Sequence, residues 1–400
     1  MKKTAALVLA LILMLGLAAC GGGSDSGSAD EKTALFKQGL LVVAVDGKWG
    51  YVDDTGNLAI NPQFDDAYQF TDNGLALVLV DGKYGYINTS GEYVINPQFD
   101  NASSFAANGM ATVKSGDKYG FINEEGTLVI NPQFESASSF SNGLASVSVS
   151  DKYGYIDEEG TYVINPQFDY AYSFADNGLA LVRSGGVYGY IDKEGKYAIN
   201  PQFEDSGEFS NGLAYASNGS TFGYIDEEGK YVINPQFDYA SSFADNGLAR
   251  VESGGKYGYI DKEGAYAINP QFDYAYSFDG DVAAVQLGEL YGLISKEGSY
   301  VVNPMYADLG VSASSDRIYF VNDEGKVGYI NKAGEEVIPA QFDALQEYEY
   351  LGMSVYGSFY DDGYAVIRMG DAFGVIDDTG AYVINPQFDG MLTYTNGFED

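Results

Sequence analysis

Proline sets the beat of this chain. All ten prolines fall in one recurring motif: Pro62, Pro97, Pro132, Pro166, Pro201, Pro235, Pro270, Pro304, Pro339 and Pro386. The spacing is 34 or 35 residues until the last step, which is 47. Eight copies read Asn-Pro-Gln-Phe, and the exceptions are "NPMY" at Asn303 and "IPAQF" at Ile338. A period in this range means stacked supersecondary units, each too small to bury a core alone, so that neighbours must cover one another.

The second copy shows what one unit is. An unbroken apolar run of strand length, "LALVLV", starts at Leu75 and is followed by Asp81-Gly82, a tight-hairpin signal. "YGYI" at Tyr84 reads as a second strand, with both tyrosines on one face and Gly85 and Ile87 on the other. A turn at Gly91 leads to a third strand from Tyr93 to Asn96, which the pattern closes at Pro97 because proline cannot donate to a ladder. Phe99 and Phe105 bracket a polar connector that can form a short fourth strand. Nowhere in the repeats do apolar residues keep helical spacing for three turns, so the fold class is all-β, built of ten antiparallel meander units. Phe64 and Phe168 of the proline motif are expected in the core, Pro166 is a structural repeat position, and the glycine after each aromatic (Gly50, Gly85 and their equivalents) is expected to allow close backbone approach.

These residues carry a family resemblance. "GKWGYVDDTGNLAINPQF", starting at Gly47, is similar to the WG-repeat (KWG-repeat) family of bacterial proteins, and the match runs through residues 39–397. Only Trp49 keeps the tryptophan, which Tyr84 and its equivalents replace. The resemblance implies extracytoplasmic or interaction roles and no settled activity. The meander units read like propeller blades. Ten exceed the usual four to eight, and the chain enters and leaves at the same phase with no strand offset to lock the first blade to the last. A propeller-like ring is the expectation, with an open superhelical β-solenoid as the alternative.

The ends give an address. Lys2 and Lys3 precede an apolar run at 5–17, too short and too early for an ordinary membrane span. It ends in Leu17-Ala18-Ala19-Cys20, which looks like the lipobox of bacterial lipoproteins, a resemblance that implies cleavage before Cys20 and lipid on its thiol. Residues 1–19 then form the signal peptide, 20–37 a lipidated Gly/Ser/Asp tether, and 38–400 the repeat domain. The expected location is extracytoplasmic, anchored to the bilayer through Cys20. Cys20 is the only cysteine, so no disulfide can staple the domain.

Composition narrows the chemistry. Loss of Lys2 and Lys3 takes the formal charge from −36 to −38, which repels nucleic acid. The chain has no histidine, which removes Ser-His-Asp and Cys-His nucleophiles and histidine zinc ligands. Acidic residues recur in the turns, as in Asp157-Glu158-Glu159, without the Asp-x-Asp-x-Asp-Gly spacing of calcium loops. A calcium-binding acidic repeat is therefore a lesser alternative. No enzyme activity, resident metal or cofactor is expected.

One segment breaks the beat. An insertion at about 345–362, "LQEYEYLGMSVYGSFYDD", holds Tyr348, Tyr350, Tyr356, Phe359 and Tyr360. Insertions in repeat proteins map to loops on one face, so these aromatics are the candidate binding surface. The expected function is a surface-anchored, non-enzymatic scaffold for a protein or glycan partner. A cell-wall polysaccharide-binding module is the alternative, because "DGKWGYVDDTG" at Asp46 is locally similar to the aromatic hairpins of choline-binding repeats.

Overall fold

The computed structural model describes residues 34–310, 315–344 and 357–392; Cys20, the tether, Tyr348, Tyr350 and Tyr356 lie outside them. Every regular element among the described residues is a strand. The strands form ten antiparallel sheets, nine of four strands and one of three. They are the blades of a ten-bladed β-propeller.

Blade 4 shows the plan. Its strands are Ser136–Ala137, Ala145–Val149, Lys152–Ile156 and Tyr162–Phe168. Side chains alternate across the sheet. Tyr155, Ile164 and Phe168 turn toward blade 5, where they meet Phe174, Ala180, Val182 and Ile191. Ile156, Val147 and Phe140 turn toward blade 3, against Phe121 and Ile130. Each blade thus supplies half of two cores, which is why the copies keep the same residues. The alternation of 34- and 35-residue spacings has a local cause. The loop after the first strand is "FADNGL" in the longer copies and one residue shorter, "FSNGL", in others. In the short form Asn142 and Gly143 both take positive φ, at 54° and 83°, which tightens the turn to an Asn-Gly hairpin.

The last strand of each blade does not stop at its proline. It runs from Tyr162 through Pro166 to Phe168, against the expectation of a stop. The proline is accommodated in a bulge: Tyr153 pairs with Phe168 and Tyr155 with Ile164, so four residue steps face two. Pro166 lies in that bulge, where no ladder donor is required. Gly154 lies opposite.

The ring closes in three ways, against the expectation that no strand offset is left to lock the first blade to the last. The residues after the last proline motif form a strand, Gly390–Leu392, that pairs with Leu40–Val45 as the missing first strand of blade 1. What read as a connector following each Asn-Pro-Gln-Phe is the first strand of the next blade, so the offset was present all along. Ten apolar clusters join the ten blades in pairs, where an open array would have nine. The tenth packs Val366, Val375, Ile384 and Phe388 of blade 10 on Leu41, Val43 and Val52 of blade 1. Finally, Asp389 accepts the Asp46 N–H at 2.6 Å.

That last bond belongs to a repeated clip. Lys152 of blade 4 donates to Asp169 at 2.5 Å, and the other Asp169 oxygen accepts the Gly186 N–H of the blade 5 hairpin at 3.2 Å. Lys48–Asp65 and Lys256–Asp273 repeat it, as do the shorter Lys83–Asp100 and Lys326–Asp343 pairs. The lysine hydrogen bond first, then the hairpin N–H, holds each of these carboxyls below its ordinary range.

Candidate binding surface

The copies are not identical on every face. Two positions change together: the residue six after the motif proline, in or just after the first strand, and the third residue of the sequence run that makes the second strand. In blades 2, 5 and 8 the first is Tyr68, Tyr172 or Tyr276, and the second is Leu77, Leu181 or Ala284. In blades 6 and 9 the sizes are exchanged. Gly207 and Gly310 leave room for the rings of Tyr215 and Tyr319, which lie where a Cβ on either glycine would have to sit. In blades 3, 4 and 7 the first position is serine. Ser103, Ser138 and Ser241 each accept the N–H of the second-strand residue, Thr112, Ser146 or Arg250, at 3.0–3.1 Å. In blades 6 and 9 the glycine makes room for the ring, and across the blades the chemistry of the pair varies.

From blade 7 to blade 9 this varied face carries a run of aromatic rings. Arg250 of blade 7 is partly buried among Tyr239, Tyr257 and Tyr274, its guanidinium carbon 5.2–5.8 Å from the three ring centroids. It donates to the Tyr239 hydroxyl at 3.1 Å and the Ala275 carbonyl at 2.7 Å. The rings continue: Tyr274 meets Tyr276 at 5.2 Å, and Tyr276 meets Tyr291 at 6.3 Å. Beyond them a cleft of about 310 Å³ opens, lined by Tyr276, Tyr291, Asp308, Tyr319, Tyr329 and Arg368 among others. Tyr319 donates to Asp308 at 3.3 Å, and Arg368 to the Ala344 carbonyl at 2.9 Å. Burial is the first cause that raises the Tyr276 and Tyr319 hydroxyls above the ordinary tyrosine range, with the Asp308 charge adding to it, so both stay protonated.

At this junction the clip is missing on both sides. Leu290 stands where the lysine would be and Ala307 where the aspartate would be. Leu290 and Met305 are exposed. The charged staple of six other junctions is replaced here by apolar and aromatic surface.

The insertion is smaller than its sequence suggests. Phe359 is not on a surface: it is 1% exposed and its ring lies 4.9 Å from that of Tyr329, in the core between blades 9 and 10. That is the place of Phe174, whose ring lies 4.8 Å from Tyr155. Tyr360 is partly buried against the core between blades 10 and 1. Phe359 belongs to the repeat because it follows Phe342 by 17 residues, where Phe174 follows Phe168 by 6, with the added residues falling between. Trp49 and Tyr84 pack partly buried against the blade cores, and Phe64 and Phe168 are buried.

The turn acids are engaged locally. Asp192 and Asp226 accept N–H groups of their own turns at 2.8–3.2 Å, and Glu124, Glu158 and Glu227 accept from Asn73, Asn108 and Asn177 of the preceding blade. Among the described residues no three acidic side chains converge on one point. Asp66 and Asp205 are the two first-strand carboxyls raised by burial, and they stand four blades apart.

The fold has parallels with little sequence in common. A crystal structure described as that of the eukaryotic initiation factor superimposes over 89% of this chain and 97% of its own, at a TM-score of 0.51 and 11% identity. Citrobacter koseri AztD covers 87% of this chain and 95% of its own, at a TM-score of 0.37 and 11% identity. Saccharomyces cerevisiae Sqt1 covers 69% and 97%, at 0.37 and 9%. No curated protein matches the chain in sequence. The model of the WG containing repeat matches residues 49–84, 84–119, 119–153, 153–188, 188–221, 222–257, 257–291, 328–371 and 373–398, leaving out 292–327 beside the cleft. The chain therefore belongs to the WG containing repeat family.

Proposed function

We propose that the protein is a non-enzymatic binding scaffold, held on the outer side of a membrane by lipid on Cys20, that presents the varied face of its blades to a protein or glycan. One observation carries this reading. Most core positions repeat from blade to blade, while the pair of positions on the first and second strands trades tyrosine, arginine, serine and glycine from blade 2 to blade 9. A chain selected only to be stable would have no need of that variety. Tyrosine and arginine are also the side chains that dominate binding hot spots.

The test is capture from cell-surface extract by the purified protein and by a Tyr239→Ala/Tyr274→Ala variant, with melting curves to confirm folding. The scaffold reading expects loss of the captured partner. A folded variant that captures the same partner equally well contradicts it. For the anchor, Cys20→Ser should abolish incorporation of labelled palmitate and leave the protein unprocessed or released; a labelled Cys20→Ser protein would refute it.

A further inference from the structure

We infer that the cleft between blades 8, 9 and 10 is a binding site for a neutral saccharide. This rests on the scaffold reading and names a ligand class and a place for it.

Three observations converge. The first is shape and lining: the cleft holds about 310 Å³, at the small end of ligand pockets, with Tyr276, Tyr291 and Tyr319 on its walls. Aromatic faces suit the C–H faces of a sugar ring. The second is an unmet donor. In six other blades the tyrosine two residues after the aromatic gives its hydroxyl proton to a carbonyl of the next blade, as Tyr259 does to Tyr276 at 2.6 Å. Tyr329 holds this position in blade 9, is 0% exposed and lines the cleft, and its hydroxyl has no partner among the described residues. The Arg368 Nε–H is likewise buried without one. A buried donor without an acceptor carries a desolvation cost that a ligand oxygen would remove. The third is charge balance. Asp308, Asp343 and Arg368 line the cleft, and Asp343 is paired with Lys326, which leaves one charge of each sign within a chain of net charge −36. A polyanion would be repelled, and a cation would meet Arg368. A ligand with hydroxyls, which both donate and accept, and no net charge satisfies the whole set.

The neighbourhood agrees. This junction alone loses both charges of the clip, to Leu290 and Ala307. Ala307, Asp308 and Tyr319 fall in 292–327, which the family model does not match, while Tyr291, Tyr329 and Arg368 fall in matched stretches. Departure from the repeat is what a site held by one blade junction requires.

The experiment is saturation-transfer NMR on the full chain purified in detergent, with cellotetraose, maltotetraose and chitotetraose as probes, each at millimolar concentration. Transfer from aromatic protons to at least one of them is expected. Tyr291→Ala and Tyr319→Ala should each weaken that binding at least tenfold, and Tyr170→Ala, on blade 5, should not. Tyr291 is only partly buried, so its replacement tests the site even if Tyr319→Ala fails to fold. Silence with all three sugars overturns the inference, as does equal binding by the Tyr291→Ala protein. If the sugars are silent while the Tyr239→Ala/Tyr274→Ala protein still loses its captured partner, the scaffold reading stands and the saccharide assignment falls.

Discussion

A Cβ placed on Gly154 would lie 2.6 Å from the backbone nitrogen of Pro166. It would also strike the Ile164 carbonyl oxygen, in the bulge where the last strand of the blade folds over the third. The two halves of the repeat signature, aromatic-Gly-aromatic and Asn-Pro-Gln-Phe, are thus two sides of one contact. Gly154→Ala should cost about 1–3 kcal/mol, the range for forcing atoms into a packed site. Phe168→Ala, which empties a core, should cost about 3–5 kcal/mol. Chemical denaturation of the two variants checks both. A neutral Gly154→Ala would mean that the bulge is not as tight as it stands.

The clips predict a pH dependence with a definite sign. The folded pKa values of Asp65, Asp100, Asp169, Asp273 and Asp343 are depressed. Their contribution is therefore complete above the unfolded value of about 3.9 and is lost as pH falls through the folded values. Asp66, Asp205 and Asp279 are raised by burial and act oppositely, adding stability as pH falls toward about 4. Melting temperature should hold or rise from pH 7 to about 5 and drop below about 4. Asp169→Asn should lower it at pH 7 and make no difference once the wild-type carboxyl is protonated. A constant difference across that range would show that the clip acts through something other than charge.

The exchange of sizes between blades can be tested as a swap. Gly207→Tyr alone should destabilise strongly, because the Tyr215 ring fills that space. Adding Tyr215→Leu recreates the pairing of Tyr172 with Leu181 in blade 5 and should recover most of the loss. A double-mutant cycle gives the coupling, expected at roughly 1–3 kcal/mol and favourable. Additive effects would mean that the two positions vary independently.

The insertion should be removable, provided that Phe359 is kept. Deleting residues 346–356 restores the spacing between Phe342 and Phe359 to that between Phe168 and Phe174. Melting temperature should change by less than a few degrees. A deletion that also takes Phe359 should lose the core between blades 9 and 10, and hydrogen exchange read blade by blade should show the opening there first. Equal stability of the two deletions would contradict the place given to Phe359.

The repeat, its strands and its core phenylalanines were legible because each copy faces the same neighbour and so repeats the same residues. Pro166 and Gly154 announced themselves by recurrence. Ring closure was not legible in that way. Gly390-Met391-Leu392 carries no strand signal of its own, and only its pairing with Val42, Val43 and Ala44 reveals it as the first strand of blade 1. Phe359 was misplaced for a related reason: an insertion hides which side of it a core residue belongs to. The varied face could have been found from sequence. Gly207 with Tyr215 and Tyr172 with Leu181 are an exchange visible in any alignment of the copies on their prolines.

Closure is the claim on which the rest depends, and one disulfide tests it. A Cβ on Gly390 would lie 3.4 Å from the Cβ of Ala44, its register partner 346 positions away, close to the separation that a disulfide needs. Ala44→Cys and Gly390→Cys, introduced together with Cys20→Ser, leave no other thiol in the chain. Under mild oxidation of the folded protein, a closed ring predicts a quantitative intramolecular disulfide, seen as the loss of both free thiols in a monomer and a raised melting temperature. Two thiols that stay free, or that pair only between molecules, would contradict a ring in which the last strand of the chain completes the first blade.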